Sequence, residues 1–144
     1  MSSKLTFRVA QTKQDYLLAL PLVQELNHGL TEDAYWQYQK EMVALGNYWL
    51  VLAFADEQMV GICGYWIATK FYTGKYMEID NFIIHANQRS KNYGALFINH
   101  LESIAKEQSC ETIMLDAYLE NTKGHAFYER HGYTPRGYHF IKKI

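Results

Sequence analysis

The segment Phe82-Ile83-Ile84-His85-Ala86-Asn87-Gln88-Arg89-Ser90-Lys91-Asn92-Tyr93-Gly94-Ala95 passes from an apolar run through a polar loop into the start of a helical pattern. A helix start carries free backbone N–H groups and partial positive charge, so a diphosphate docks there where no side chain blocks the approach. Gly94 keeps that approach open. Lys91 and Arg89 supply charge-assisted contacts, and Arg89 suits equally well a bracing role inside the turn. Taken alone, a glycine at a helix start is more often a plain turn than a phosphate site. Upstream, Glu78 and Asp80 stand two residues apart on an apparent strand and therefore share one face. Carboxylates in that position serve as general bases or simply as an acidic, solvated strand face. His85 at the strand end is a reserve base or a solvated histidine.

The elements that must position these residues are readable from spacing. Leu5 to Val9 alternates as a short strand. Thr12 with Asp15 three residues later forms a capping-box pattern ahead of apolar residues at helical spacing from Tyr16 to Leu26, with Pro21 expected to distort or divide the helix. Thr31 is a second cap, followed by Ala34, Tyr35, Tyr38, Met42 and Leu45, and Gly46 is a stop. Tyr48 to Ala55 and Met59 to Thr69 read as a hairpin around Asp56-Glu57-Gln58, and Tyr76 to His85 as a third, central strand. Leu96, Phe97, Leu101, Ile104 and Ala105 mark one face of a helix ending near Gln108. Thr112 to Tyr118 is a strand, Asn121 starts a short helix closed by Gly132, and Tyr133 to Ile144 reads as a last strand.

With 144 residues, 49% of them hydrophobic, the chain buries one core, so residues 1–144 are expected to form a single domain. The formal net charge is -1 and the basic residues are scattered, which argues against nucleic acid or an anionic membrane as partner. Met1 to Val9 lacks a signal-peptide core and no run reaches the roughly 20 apolar residues of a membrane span, so a cytoplasmic location is expected. Cys63 and Cys110 read as reduced core thiols, and the six histidines show no metal-ligand spacing, so no metal is expected.

In this setting the loop resembles that of the GNAT superfamily of acetyl-CoA-dependent N-acetyltransferases. There a central strand leads into Arg/Gln-x-x-Gly-x-Gly/Ala, matched by Arg89-Ser90-Lys91-Asn92-Tyr93-Gly94 with Asn92 in the place of the first glycine. Asn tolerates unusual backbone angles better than most residues. A second match follows in the right order: Asn121, Phe127-Tyr128 and Gly132-Tyr133 after a strand. Together the two cover about the last two-thirds of the chain.

The resemblance implies an α/β fold of the α+β type: a mixed, mostly antiparallel central sheet of six to seven strands, with a splayed central pair, flanked by about four helices. Acetyl-CoA is the implied donor and a primary amine of a small molecule or peptide the acceptor; a last strand with an unpaired edge leaves monomer or homodimer open. Phe82, Ile83, Ile84, the loop Arg89 to Ala95 (Arg89, Ser90, Lys91, Asn92, Tyr93, Gly94, Ala95), Asn121 and Tyr128 are the implied cofactor-binding residues. Backbone groups of Phe82 and Ile84 would pair with pantetheine as an added strand, and the Ile84 N–H would polarise the thioester carbonyl; plain core strand residues fit those positions equally. Tyr128 is the candidate acid for the departing thiolate, or else a core aromatic. Asn121 contacts the pantetheine amide, caps its helix, or does both. Glu78 and Asp80 are the leading base candidates. The first two helices would build the acceptor pocket from Asn27, His28, Tyr35, Trp36, Tyr38, Trp66 and Tyr72, although Tyr35, Tyr38 and Met42 also fit a core stripe. A module that keeps the acyl-CoA groove but has lost transfer, acting as a sensor, is the alternative, and a small interaction domain without nucleotide is another.

Overall fold

A computed structural model describes residues 4–89 and 91–144. Its elements run β1 (Thr6–Val9), α1 (Lys13–Leu26), α2 (Glu32–Ala44), β2 (Tyr48–Ala55), β3 (Gln58–Lys70), β4 (Gly74–Ile84), a one-turn 3-10 segment (Ala86–Gln88), α3 (Tyr93–Glu107), β5 (Thr112–Leu115) and α4 (Thr122–Arg130). Both expected N-terminal caps are present. The Thr12 side chain accepts from Asp15 N while the Asp15 carboxylate accepts from Thr12 N, and Thr31 accepts from Ala34 N. Pro21 lies inside α1 without ending it.

The sheet order is β1-β2-β3-β4-β5, antiparallel throughout except for the parallel pair β4–β5, which the crossover helix α3 makes possible. β2 to β4 are buried on both faces, which is why they read as near-continuous apolar runs. On one face Tyr16, Leu20, Leu22 and Tyr35 of α1 and α2 pack on Leu50, Leu52, Ile62 and Ile83. On the other, Phe97, Ile98 and Leu101 of α3 pack on Val51, Val60, Met77 and Ile79, with Phe127 and Tyr128 of α4 against the same cluster.

Three expectations need correction. The sheet among the described residues has five strands, not six to seven, and Tyr133 to Ile144 is not a strand. Pro135 has no N–H to offer a ladder, Gly137 has no side chain to pack, and every side chain from Thr134 onward is exposed. The tail stays unpaired. β5 also stops at Leu115 instead of Tyr118, because its neighbour β4 changes course there.

That change is a β-bulge. Gly64 faces Asp80 and Ile62 faces Ile83, so Cys63 alone opposes Asn81 and Phe82, and Asn81 takes the left-handed conformation at φ 54°. The extra residue reverses the alternation. Phe82 and Ile84 join Met77 and Ile79 on the α3 face, while Ile83 crosses to the α1–α2 face. Among the described residues no helix is long and apolar enough to cross a membrane.

Candidate active site

The β4–β5 ladder runs from Tyr76↔Thr112 to Ile79↔Leu115 and ends there, whereas β4 continues to Ile84. The last five residues of β4 are thus paired on one side only. His85 N donates to Val60 O at 2.7 Å, so Val60–His85 is a hydrogen-bonded pair. Bonded and non-bonded pairs alternate in an antiparallel ladder, which makes Gly61–Ile84 non-bonded and turns the backbone groups of Ile84 away from β3, toward the gap. By the same count Ile83 directs its backbone to Ile62, and its side chain is core.

Arg89 donates from Nε to Ile84 O at 3.0 Å. The guanidinium therefore braces the loop and occupies the Ile84 carbonyl while leaving the Ile84 N–H directed at the gap. Lys91 is held by Gln88 Oε1 at 3.0 Å. Asn92 is the N-cap of α3 at φ 66° and ψ 15°, left-handed, without a side-chain cap bond. This is the backbone shape for which glycine is the usual residue and to which Asn is better suited than most. Tyr93 is buried in the core and Ala95 is half-buried. Ser90 lies outside the described residues.

Gly94 has a packing role that sequence spacing does not reveal. A Cβ there would stand 3.1 Å from Phe127 Cε1 and 3.3 Å from Cζ. Bare backbone at the start of α3 thus lets α4 close over it. Phe127 in turn packs on Phe82, with ring centroids 6.1 Å apart, and edge-on against Tyr128 at 5.3 Å. Asn121 caps α4, its Oδ1 accepting from Gly124 N at 3.0 Å.

Tyr128 packs against the α3-side cluster and edge-on to Tyr133. Burial, with a smaller contribution from the nearby Cys63, pushes its phenol up to about 12. Such a phenol stays protonated at neutral pH. Cys63 gauges the same surroundings: it is fully buried, and burial drives its thiol well above the usual thiol range.

Glu78 and Asp80 occupy the opposite face. Asp80 Oδ2 accepts from Trp66 Nε1 at 3.2 Å, and its Oδ1 accepts from Asn81 Nδ2 at 3.0 Å. Asn27 Nδ2, at the end of α1, donates to Asn81 Oδ1 at 2.7 Å and so ties the helix to the bulge. Glu78 is half-buried. Burial, then Asp116 and Asp80, raise its carboxyl, while Lys70 and His139 oppose that rise. A raised carboxyl is a stronger base than an exposed one. His85 Nδ1 is buried with no hydrogen-bond partner among the described residues.

The expected acceptor-pocket residues divide. Tyr35 is core, its hydroxyl donating to Tyr16 O, whereas Tyr38 is exposed, contrary to a shared core stripe. Trp36 lies under Lys13 at 5.1 Å. Trp66 stands at the Asp80 carboxylate, and Asn27 at its neighbour Asn81. The bulge is the feature that sequence spacing missed, the broken alternation between Asp80 and Phe82 being its one trace; the early end of the β4–β5 ladder falls where the family resemblance implied a splayed pair. No group of three or more His, Cys, Asp or Glu residues that could hold a metal occurs among the described residues.

The model of the Acetyltransferase (GNAT) family matches residues 14–133. An uncharacterized N-acetyltransferase of Bacillus subtilis, YhdJ, is 23% identical over 134 residues, 92% of this chain and 94% of that one. A GNAT family acetyltransferase of Staphylococcus aureus superposes with a TM-score of 0.76 at 22% identity, covering 100% of both chains. AAC(6')-Iy, solved with the bisubstrate analog CoA-S-monomethyl-acetylneamine, gives 0.83 at 16% identity over 99% of this chain and 100% of its own. The two solved structures share the fold, and the family model covers the gap, the bulge, the α3 loop and α4 alike: the chain belongs to the GNAT acetyltransferase family.

Proposed function

We propose that the chain is an N-acetyltransferase that moves the acetyl group of acetyl-CoA directly to a primary amine of a small molecule or peptide. The observation that carries this is the end of the β4–β5 ladder at Ile79↔Leu115, five residues before β4 itself ends. The gap receives the pantetheine arm, and the start of α3 takes the diphosphate. It is also where the two faces of the sheet communicate, with Glu78 and Asp80 on one and Tyr128 on the other.

The amine enters from the α1–α2 side as an ammonium, drawn by Glu78, Asp80 and the Trp66 ring. Glu78 takes its proton, directly or through water. The amine nitrogen then bonds to the thioester carbon, and the carbonyl oxygen gathers charge against the Ile84 N–H. As the C–S bond breaks, the nitrogen sheds its second proton to water, and the Tyr128 hydroxyl gives its proton to the sulfur and regains one from solvent. Asp80, fixed by Trp66 and Asn81, orients the ammonium and keeps the face acidic.

Calorimetry with acetyl-CoA and a thiol-release assay over a panel of amines test the reading. Binding followed by thiol release with at least one amine is expected. Binding with no release across polyamines, amino sugars, amino acids and peptides would favour the sensor alternative, and no binding at millimolar acetyl-CoA would remove the donor assignment itself.

A further inference from the structure

We infer that Tyr48 is a specificity residue of the acceptor site, its hydroxyl accepting one N–H of the incoming ammonium beside Asp80 and Glu78 and so selecting unsubstituted primary amines. Tyr48 of β2 pairs with Trp66 and Leu50 with Gly64, while on the other side of β3 Gly64 pairs with Asp80 and Trp66 with Glu78. By alternation these residues share the α1–α2 face of the sheet. Gly64 is the opening among them. A Cβ on it would run into the Tyr48 hydroxyl and stand 2.9 Å from Cε1 and 3.0 Å from Cζ, so the phenol crosses β3 over bare backbone. Its hydroxyl thus lies over the residue that faces Asp80. Trp66 keeps it there: the two ring centroids are 4.7 Å apart, and Trp66 Nε1 donates to Asp80 Oδ2 at 3.2 Å.

Tyr48 is only 5% exposed, yet among the described residues no hydrogen bond engages its hydroxyl. Its neighbours in the same cluster behave otherwise, Tyr16 donating to Ala10 O at 3.3 Å and Tyr35 to Tyr16 O. A polar group so placed costs the fold free energy unless water or a ligand completes it. The hydroxyl is also reachable: Gln39 Oε1 and His85 Nδ1 are the sealed side-chain polar atoms without a partner among the described residues, and the Tyr48 oxygen is not one of them. Burial, and then the charge of Asp80, hold the phenol well above the usual tyrosine range, so it stays neutral and its oxygen is free to accept. The ammonium of a primary amine offers three N–H donors. Glu78 and Asp80 take two of them and Tyr48 the third. An N-methyl amine offers two, which the carboxylates fill, so the Tyr48 contact is the one it forgoes. This rests on Glu78 and Asp80 receiving the amine, as proposed.

Benzylamine and N-methylbenzylamine, a primary and a secondary amine of nearly one shape, test it in two ways. Thiol release reads their turnover, and NMR titration of the CoA-saturated chain reads their binding at the Trp66 indole N–H. Wild type should bind benzylamine more tightly. Tyr48→Phe should raise the KM and dissociation constant of benzylamine about tenfold and those of N-methylbenzylamine less than about twofold. Because the contact is made before and during transfer alike, kcat for benzylamine should stay within about twofold. Acetyl-CoA affinity should hold, and the melting temperature should be unchanged or higher, since the hydroxyl removed has no partner in the fold. Unaltered benzylamine constants in Tyr48→Phe, an equal loss for both amines, or a wild-type Trp66 signal that ignores benzylamine would each overturn the inference. Benzylamine bound in a Tyr48-dependent way without thiol release would overturn the transfer reaction and leave Tyr48 as part of an amine-binding site.

Discussion

The two halves of β4 obey different rules. From Gly74 to Ile79 the strand is paired on both sides, by β3 and β5, and alternates strictly: Met77 and Ile79 enter the α3-side core while Glu78 faces the other way. From Asp80 to Ile84 it is paired on one side, interrupted by the bulge, and reversed in its alternation. The first half is structure. The second half gives up about one ladder's worth of hydrogen bonds and takes a left-handed Asn81, costs that persist where surrounding contacts hold the backbone in place. Here Asn27, Trp66 and Arg89 supply those contacts. The difference teaches that the candidate site lies where the sheet ends early: Glu78 stands on the regular half, Asp80 opens the irregular half, and the Ile84 N–H closes it.

Perturbing the gap's walls should have the largest effect. Gly94→Leu drives a side chain into Phe127 at the start of α3, so acetyl-CoA binding should be lost in calorimetry. Unlike a surface glycine change, it should also cost about 1–3 kcal/mol of stability, read by denaturant unfolding, because the new atoms overpack α3 against α4. Binding retained at wild-type strength would mean that the start of α3 is not the diphosphate site.

Removing the proposed base, Glu78 on the regular half, comes next. Glu78→Gln should lower kcat/KM about a hundredfold while leaving acetyl-CoA affinity unchanged. Because burial raises the Glu78 carboxyl, wild-type activity should fall as pH drops through that raised value, and the variant should lose this acid limb. The stability sign is opposite. A carboxyl whose folded value is raised binds its proton more readily folded than unfolded, so its ionisation opposes folding as pH rises, and the Gln variant should be no less stable than wild type at neutral pH. An acid limb that persists would transfer the role to Asp80 or His85.

Tyr128→Phe should reduce kcat about tenfold or more with acetyl-CoA affinity nearly unchanged, since only the hydroxyl is lost from an aromatic packed among Phe127 and Tyr133. Unaltered turnover would return Tyr128 to a packing role. The smallest effect belongs to Asn121→Ala, which removes the cap on α4 and should cost about 1 kcal/mol, measured as a small drop in melting temperature. A loss of acetyl-CoA affinity beyond that drop would show that Asn121 also touches the donor.

Most of the positions of helices and strands followed from local pattern. Thr12 with Asp15, Thr31 and Asn121 announce helix starts because a side-chain oxygen reaching a backbone N–H is a short-range event. The hairpin of β2 and β3 is equally local. The tail failed as a strand because alternation in Tyr138 to Ile144 states only that a strand is possible; whether a partner edge reaches it depends on another part of the molecule.

The sequence by itself determined the family, the Arg89 to Gly94 loop opening α3, and the sharing of one face by Glu78 and Asp80, since each rests on neighbours within a few residues. Tertiary structure alone decided that a bulge at Asn81 precedes Ile84, that Arg89 braces the loop through the Ile84 carbonyl, that Gly94 makes room for Phe127, and that acid and base candidates stand on opposite faces. The reason is physical: a bulge of one residue and a ladder that stops at Ile79 arise from contacts with β3, α1 and β5, which are distant along the chain, and no local spacing encodes where such contacts end.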